Sequence, residues 1–181
     1  SLKWIFFCNF VHIQTETEMT DLTKLAPCEV WTEFEAITRV PRPSKKEEKI
    51  RDYLVGWAKE HGLEYRCDAT GNVVIRKPAT TGYEGRPTVI LQSHMDMVCE
   101  KRAGVEHDFE KDGLDLIIRD GRLTANGTTL GGDNGVAVAL MLMVLDDDEI
   151  LKSIENGKKA FGFVPEAAAS VIPVIMRGIM G

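Results

Sequence analysis

Two amphipathic helices are predicted near the start of the chain from the spacing of its apolar residues. The first runs from Pro27 to about Val40, because apolar side chains recur three and four residues apart and so form one helix face. The second begins at Ser44, where the sequence S-K-K-E is typical of a capping box in which Glu47 reaches back to the serine amide. It ends at Gly62, which suits a helix C-terminus. The apolar positions of the two faces are Val30, Phe34, Ile37, Ile50, Leu54, Trp57 and Ala58.

Short runs of β-branched and aromatic residues predict strands in the middle of the chain. A hairpin is expected from residues 63–67 and 72–77, which flank the turn-rich sequence DATG. A further apolar strand, residues 88–92, leads into the sequence SHMD. Residues 114–125 predict a second hairpin, because an Asp-Gly pair between two apolar runs is a strong turn signal.

A glycine-rich loop, NGTTLGGDNG, precedes the apolar run at residues 136–145. This run predicts a buried helix, although periodicity alone leaves a buried strand open. The order of helices, strands and loop predicts an α/β layered domain, and no internal repeat is visible. The pattern weakens after the acidic sequence DDDE, and residues 1–18 are predicted to be an extension of doubtful relevance.

Composition and charge narrow the class of protein. The chain has 181 residues, 44% of them hydrophobic, and a formal net charge of −6, with no basic stripe for nucleic acid. No apolar run reaches the roughly 20 residues of a membrane helix. The opening SLKWIFFCNFVHI lacks the cleavage pattern of a signal peptide, so Met19 is the expected natural start. The four cysteines are widely spaced without a CxxC pair, which favours a reducing compartment, and the cytoplasm is the expected location.

His94 and Asp96 are the first candidate site residues. Residues i and i+2 of an extended strand point to the same face, so this imidazole and this carboxylate are expected to project together. They follow an apolar strand, and open α/β sheets usually place their sites at strand ends. The pair suits zinc, manganese or cobalt, with Asp96 either a ligand or the group that orients His94. The structural alternative is a histidine that is hydrogen-bonded to a neighbouring carboxylate without any metal.

Asp133 is the third candidate, on the tight glycine turn GGDNG. Two roles stay open for it from the residues alone. Asp133 or Asn134 can cap the following helix, or the Asp133 carboxylate can bridge two cations. A phosphate cradle is disfavoured, because the sequence has no GxGxxG or GxxxxGK[ST] pattern and an acidic residue would repel phosphate.

Taken together, these motifs resemble the M20 metallopeptidases. The strings PRPSKKEEKI, DATGNVVIRKPA, LQSHMDMVCEK and LTANGTTLGGDNGVAVA are similar to the aminoacyl-histidine dipeptidase branch, over residues 19–149. The resemblance implies that residues 19–149 are the N-terminal part of a zinc-exopeptidase-like catalytic domain that hydrolyses small Xaa-His dipeptides. It also implies that residues 150–181 are a divergent tail. It implies two zinc ions per site, with Co²⁺ or Mn²⁺ as alternatives. His94 would be a zinc ligand, Asp133 would bridge the two metals, and Asp96 would be the catalytic residue that orients and polarises His94.

The family pattern is incomplete in this sequence. The family's Glu-Glu pair, its later acidic and histidine ligands, and the inserted lid domain through which homodimers form are not matched in residues 150–181. Zinc sites normally have three or four protein ligands. The expectation is therefore an incomplete domain and a truncated chain that is weak or inactive. The alternatives are a deacylase or aminoacylase fragment of the same family, and a non-catalytic α/β remnant or interaction module.

Overall fold

The computed structural model of the chain describes residues 21–155 and 171–177, so the extension predicted at residues 1–18 lies outside the described residues. In the described part, no helix is long and apolar enough to cross a membrane. The elements, after a short 3₁₀ turn at Leu22–Lys24, are α1 (Cys28–Thr38), α2 (Glu48–Glu60), β1 (Glu64–Cys67), β2 (Val73–Pro78), β3 (Leu91–His94), β4 (Leu116–Arg119), β5 (Arg122–Ala125), α3 (Gly132–Asp146), α4 (Asp148–Glu155) and β6 (Val171–Arg177).

A mixed sheet with the strand order β1-β2-β6-β3 forms one layer of the fold. β1 and β2 are an antiparallel hairpin, and β2 also pairs antiparallel with β6. β6 runs parallel to β3, with Leu91 opposite Val174 and His94 opposite Arg177. β3 therefore lies at one edge of the described sheet. The α/β prediction is confirmed. The domain boundary at residue 149 stays a prediction, and in the structure this position lies inside α4.

α2 and α3 pack against this sheet, and α1 packs against α3. The seven predicted face positions of α1 and α2 are all 6% exposed or less. α3 packs against α1 and β3, and most of the apolar run at residues 136–145 is buried within it. This run is thus a helix and not a strand. Its burial places the glycine-rich start of α3 beside the end of β3.

Both predicted hairpin turns are present. Asp120 and Gly121 join β4 to β5 with positive φ angles of 52° and 67°, as a two-residue primed turn requires. The turn between β1 and β2 is held by Asp68, whose carboxylate accepts hydrogen bonds from Thr70 and Asn72. The side-chain hydrogen bonds from Asn72 and Thr70 lower the pKa of Asp68. β4 and β5 form a separate two-stranded sheet, which sequence patterning did not predict.

Two local predictions are wrong. α2 begins at Glu48 and not at Ser44, because the Ser44 hydroxyl is used by Asp96. The Glu47 carboxylate instead accepts a hydrogen bond from the amide of Lys45 at 2.7 Å. The strand predicted at residues 88–92 begins only at Leu91, since β6 pairs with Leu91–His94 and leaves the residues before them outside the ladder.

Lys77, on β2, binds the C-terminal end of α3. Its ammonium donates to the Leu145 carbonyl at 2.7 Å and pairs with Asp148 at 2.6 Å, and its side chain is only 13% exposed. We expect Lys77→Met to lower the free energy of unfolding by about 1 to 2 kcal/mol, because a charged donor is lost from a mostly buried position. Urea denaturation measures the change. Lys152→Met, which removes an exposed pair with Glu149, is the matched control and should cost less than about 0.5 kcal/mol. Equal losses in both variants would show that Lys77 stabilises the protein no more than an exposed ion pair does.

Candidate metal centre

The predicted pair His94 and Asp96 lies at the C-terminal end of β3. His94 is the last residue of this strand, and its side chain is 22% exposed. Oδ1 of Asp96 lies 3.1 Å from Nδ1 of His94, and the Asp96 side chain is 1% exposed. A carboxylate in this position favours the proton on Nδ1, because a carboxylate only accepts hydrogen bonds. The Nε2 lone pair is then directed away from Asp96.

Asp133 approaches the same ring from the start of α3. Its Oδ1 lies 3.1 Å from Nε2 of His94, and its side chain is 95% exposed. Asp133 and Asn134 have non-helical backbone angles, and the peptide bond between them is cis. The N-cap position of α3 is Gly131, without a side-chain cap. The capping role that the sequence left open for Asp133 is therefore not the one observed, because its carboxylate faces His94.

Ser44 supports Asp96 from the side opposite His94. Its hydroxyl donates to Oδ2 of Asp96 at 2.6 Å, so the two carboxylate oxygens of Asp96 have different partners. The sequence assigned Ser44 to a helix cap, and only the fold shows this contact. The residue belongs to the loop between α1 and α2, in which Pro43 forms a parallel bridge with Met97 in the segment that follows β3.

We expect Ser44→Ala to lower the free energy of unfolding by about 1 to 3 kcal/mol, because a hydrogen bond to a buried carboxylate is lost. Chemical denaturation followed by circular dichroism measures the loss. Ser44→Thr keeps the hydroxyl and is the matched control, with an expected loss below about 1 kcal/mol. If the alanine and threonine variants are equally stable, the hydroxyl does not support Asp96.

Arg42 is a site residue for which the sequence pattern carried no signal beyond its place in the string PRPS. It is 1% exposed. Its Nη1 lies 3.5 Å from the carbonyl oxygens of both Met95 and Asp96, and its Nη2 donates to the carbonyl of Gly131 at 2.9 Å. Burial lowers the pKa of Arg42 to about 10, and the charge of Asp96 acts in the opposite direction. The guanidinium therefore remains charged at neutral pH.

The glycines of the GGDNG loop make room for this guanidinium. A Cβ atom at Gly131 would lie 2.5 Å from Nη2 of Arg42 and 2.8 Å from Sδ of Met97. A Cβ at Gly135 would lie 2.8 Å from the same Nη2 and 3.1 Å from the Phe34 ring. Gly131 also has a φ of +65°, which glycine adopts readily. The glycine-rich sequence is thus explained by a close approach to a buried cation.

His94 and Asp133 fit a zinc ion as two of its ligands. Nε2 of His94 and Oδ1 of Asp133 converge, and a buried carboxylate holds Nδ1, as is usual for zinc-binding histidines. Among the residues that the structure describes, no group of three histidine, cysteine, aspartate or glutamate side chains is arranged to hold a metal. Because zinc takes three or four protein ligands, the described residues supply only part of a site.

A cavity of about 540 Å³ lies at the opposite end of α3. It is lined by residues of α1, the end of α3 and the start of α4, six of which are acidic. None of His94, Asp96 and Asp133 lines it. The candidate site is therefore defined by the convergence of its side chains and not by the size of a cavity.

Comparison with known proteins shows that the sequence and the fold are similar to those of peptidases. No family model matches the chain. The cytosol non-specific dipeptidase of Escherichia coli (strain K12) is 45% identical over 133 residues, which cover 74% of this chain and 27% of that protein. The solved aminoacylhistidine dipeptidase of Vibrio alginolyticus superposes with a TM-score of 0.74 at 38% identity, covering 88% of this chain and 29% of that one. The aminopeptidase PepT of Bacillus cereus superposes with a TM-score of 0.57 at 25% identity, covering 82% and 35%.

This chain belongs to the M20 metallopeptidase family, in the branch of the aminoacyl-histidine dipeptidases. It corresponds to the N-terminal portion of such enzymes and spans less than a third of the length of the two dipeptidases that it matches. The family and the fold class that the sequence motifs predict are therefore confirmed.

Proposed function

We propose that His94 and Asp133 are zinc ligands in the dinuclear centre of a dipeptidase, and that Asp96 orients His94. The observation that carries this proposal is the 3.1 Å approach of Asp133 Oδ1 to His94 Nε2, while Asp96 holds the other ring nitrogen. In this arrangement His94 would hold one ion. The exposed carboxylate of Asp133 has two oxygens and would be shared between the two ions. Cobalt and manganese suit the same nitrogen and oxygen donors.

Each of the three side chains contributes a different property to the proposed reaction. When bound, the metal pair supplies an activated water and stabilises the negative charge that develops on the peptide carbonyl. Asp96 keeps the proton on Nδ1 of His94 and so leaves the lone pair of Nε2 available to a metal ion. Because Asp96 is buried and bonded to Ser44, it holds the imidazole in one orientation. The Asp133 side chain is 95% exposed, so its charge is accessible from the solvent.

The proposed substrates are small dipeptides, with the Xaa-His type as the first choice. This choice rests on the names of the two relatives, one an aminoacylhistidine dipeptidase and the other a non-specific dipeptidase. The cytoplasm is the proposed location, since the Escherichia coli relative is named a cytosol enzyme. The net charge of −6 argues against nucleic acid as a partner. No membrane partner is proposed.

We infer that hydrolysis by this polypeptide alone is weak. His94 and Asp133 are two ligands shared between two proposed ions, whereas a zinc ion takes three or four. A general base typically contributes a factor of about 10² to 10⁴ in rate. Among the described side chains that contact His94, both carboxylates already have other roles in the proposal.

Zinc titration of the 181-residue chain by calorimetry, with a dipeptide assay, tests the proposal. We expect zinc to bind with a micromolar dissociation constant, and β-alanyl-histidine to be cleaved far more slowly than the roughly 10 s⁻¹ typical of enzymes. Failure to bind zinc would overturn the metal centre. Turnover at the typical rate would overturn the inference of weak activity. A second panel, with N-acetylated amino acids, distinguishes a deacylase, which would cleave these and not the dipeptide.

A further inference from the structure

Arg42 connects two segments that are far apart in the sequence. Its Nη1 faces the carbonyls of Met95 and Asp96, which directly follow His94. Its Nη2 donates to the carbonyl of Gly131, two residues before Asp133. The guanidinium is planar and presents its donors in a fixed fork. One rigid group therefore contacts both the segment that carries His94 and the segment that carries Asp133.

The main chain of Arg42 is itself anchored on the His94 side. The amide of Met97 donates to the carbonyl of Arg42 at 2.9 Å, and the amide of Ser44 donates to the carbonyl of Met97 at 3.3 Å. Pro43 and Met97 form an isolated parallel bridge. The backbone around Arg42 thus lies fixed against the residues that follow β3. From this base the side chain reaches across to the glycine loop.

Burial of the charged Arg42 side chain costs free energy that a residue needed only for packing would not cost. The guanidinium is buried, and its Nε has no hydrogen-bond partner among the described residues. Apolar residues of similar volume often replace buried charges without loss of stability. Packing alone therefore gives no reason for an arginine here. The distinguishing property of the side chain is its ability to donate to carbonyls on two segments at once.

We propose that Arg42 is a positioning residue that sets the approach of Asp133 to His94. The inference rests on the proposed function, because it takes these two side chains as the metal ligands. Without the guanidinium, the carbonyl of Gly131 loses the hydrogen bond that connects it to the segment following β3. The loop that carries Asp133 is then no longer held against that segment. A lysine at this position would supply the charge but only a single point of donation, so it would hold one of the two segments.

Lys77→Met provides a matched control for Arg42→Met. Lys77 is also a mostly buried cation that donates to a main-chain carbonyl of the α3 segment, at Leu145, but it acts at the opposite end of the helix. Both substitutions replace a long cation with methionine. If the two variants differ in their effects on His94 and on zinc binding, the cause is the position of the lost cation and not a general loss of stability.

The first measurement uses the metal-free full chain. The ¹⁵N resonances of the His94 imidazole, assigned by their absence in His94→Ala, report its surroundings at one fixed pH. Exchange of the Gly135 amide reports the glycine loop, since this amide donates to the carbonyl of Gly131. We expect Arg42→Met to shift the Nε2 resonance and to speed Gly135 exchange at least about tenfold. Lys77→Met should leave both unchanged.

The second measurement is the zinc dissociation constant. Loss of a residue that orients metal ligands typically weakens affinity by about 10- to 100-fold, and we expect this range for Arg42→Met. Arg42→Lys should fall between the methionine variant and the original chain. Lys77→Met should change the dissociation constant by less than about twofold, because it acts away from the ligands. Urea denaturation of each variant confirms that the measured protein is folded.

Several outcomes would overturn the role of Arg42. One is an unchanged Nε2 resonance and zinc affinity in folded Arg42→Met. Another is an equal effect of Lys77→Met, which would mean that the loss is one of stability alone. If Arg42→Met does not fold, the same measurements on Arg42→Lys decide, and unchanged values refute the proposal. If the original chain binds no zinc, the proposed function fails, while the metal-free measurements still test the positioning of His94.

Discussion

Substitution of His94 by alanine is expected to remove measurable zinc binding by this chain. Nε2 of His94 is the one nitrogen donor of the proposed site, and Asp133 alone would leave a single exposed carboxylate on the ion. Since loss of an orienting residue already costs about 10- to 100-fold in affinity, loss of a direct ligand should exceed 100-fold. Competition against a chromogenic chelator measures the dissociation constant over this range.

His61→Ala is the matched control for this substitution. His61 also lies beside a carboxylate, with its Nε2 3.4 Å from Oδ1 of Asp146, but at the opposite end of α3. Its ring stacks on Trp57, and its Nδ1 lies 2.7 Å from the carbonyl of the same residue. We expect zinc affinity to be unchanged in this variant. An equal loss in both variants, or an unaltered affinity in His94→Ala, would show that zinc binds elsewhere.

Gly131→Ala is expected to give the largest loss of stability among the substitutions considered. The φ of +65° costs an alanine about 1 to 2 kcal/mol. The new Cβ would also lie 2.5 Å from Nη2 of Arg42 and 2.8 Å from Sδ of Met97, both in the buried interior. Overpacking of this kind typically adds about 1 to 3 kcal/mol. The free energy of unfolding, measured by urea denaturation, should therefore fall by about 2 to 5 kcal/mol.

Gly62→Ala separates the two causes of this loss. Gly62 has the same φ of +65°, but a Cβ atom there would meet no heavy atom within 4 Å. The backbone cost should be similar in the two variants, so the difference between them measures the contact with Arg42 and Met97. We expect Gly131→Ala to be less stable by at least about 1 kcal/mol. Equal losses would mean that the loop moves away from Arg42 without cost.

The parts of the fold that depend on neighbours along the chain were predicted well from the sequence. The helix faces of α1 and α2 follow from a period of 3.6 residues, and the turn at Asp120 follows from the backbone freedom of an Asp-Gly pair. The contact of His94 with Asp96 follows from a spacing of two in extended chain. Each of these features is set by local geometry, which the order of residues records directly.

The ends of elements were predicted less well, because other parts of the chain decide them. Ser44 has the sequence of a helix cap, yet its hydroxyl binds Asp96, 52 residues away. The first paired residue of β3 depends on β6, and the apolar residues before Leu91 lie outside that ladder. A local sequence signal fails wherever a residue from a distant part of the chain forms the hydrogen bond that the signal predicts.

The sequence by itself determined the family, the fold class and the three candidate side chains, since the resemblance rests on four continuous strings of residues that are recognisable without the fold. The tertiary structure alone decided how these side chains meet. Asp133 reaches His94 across 39 residues, and Arg42 reaches Gly131 across 89, because α3 packs on α1 and β3. Contacts between residues so far apart leave no periodic pattern and no turn motif in the sequence. They arise only when burial of the apolar residues of α3 places its glycine-rich start beside the end of β3.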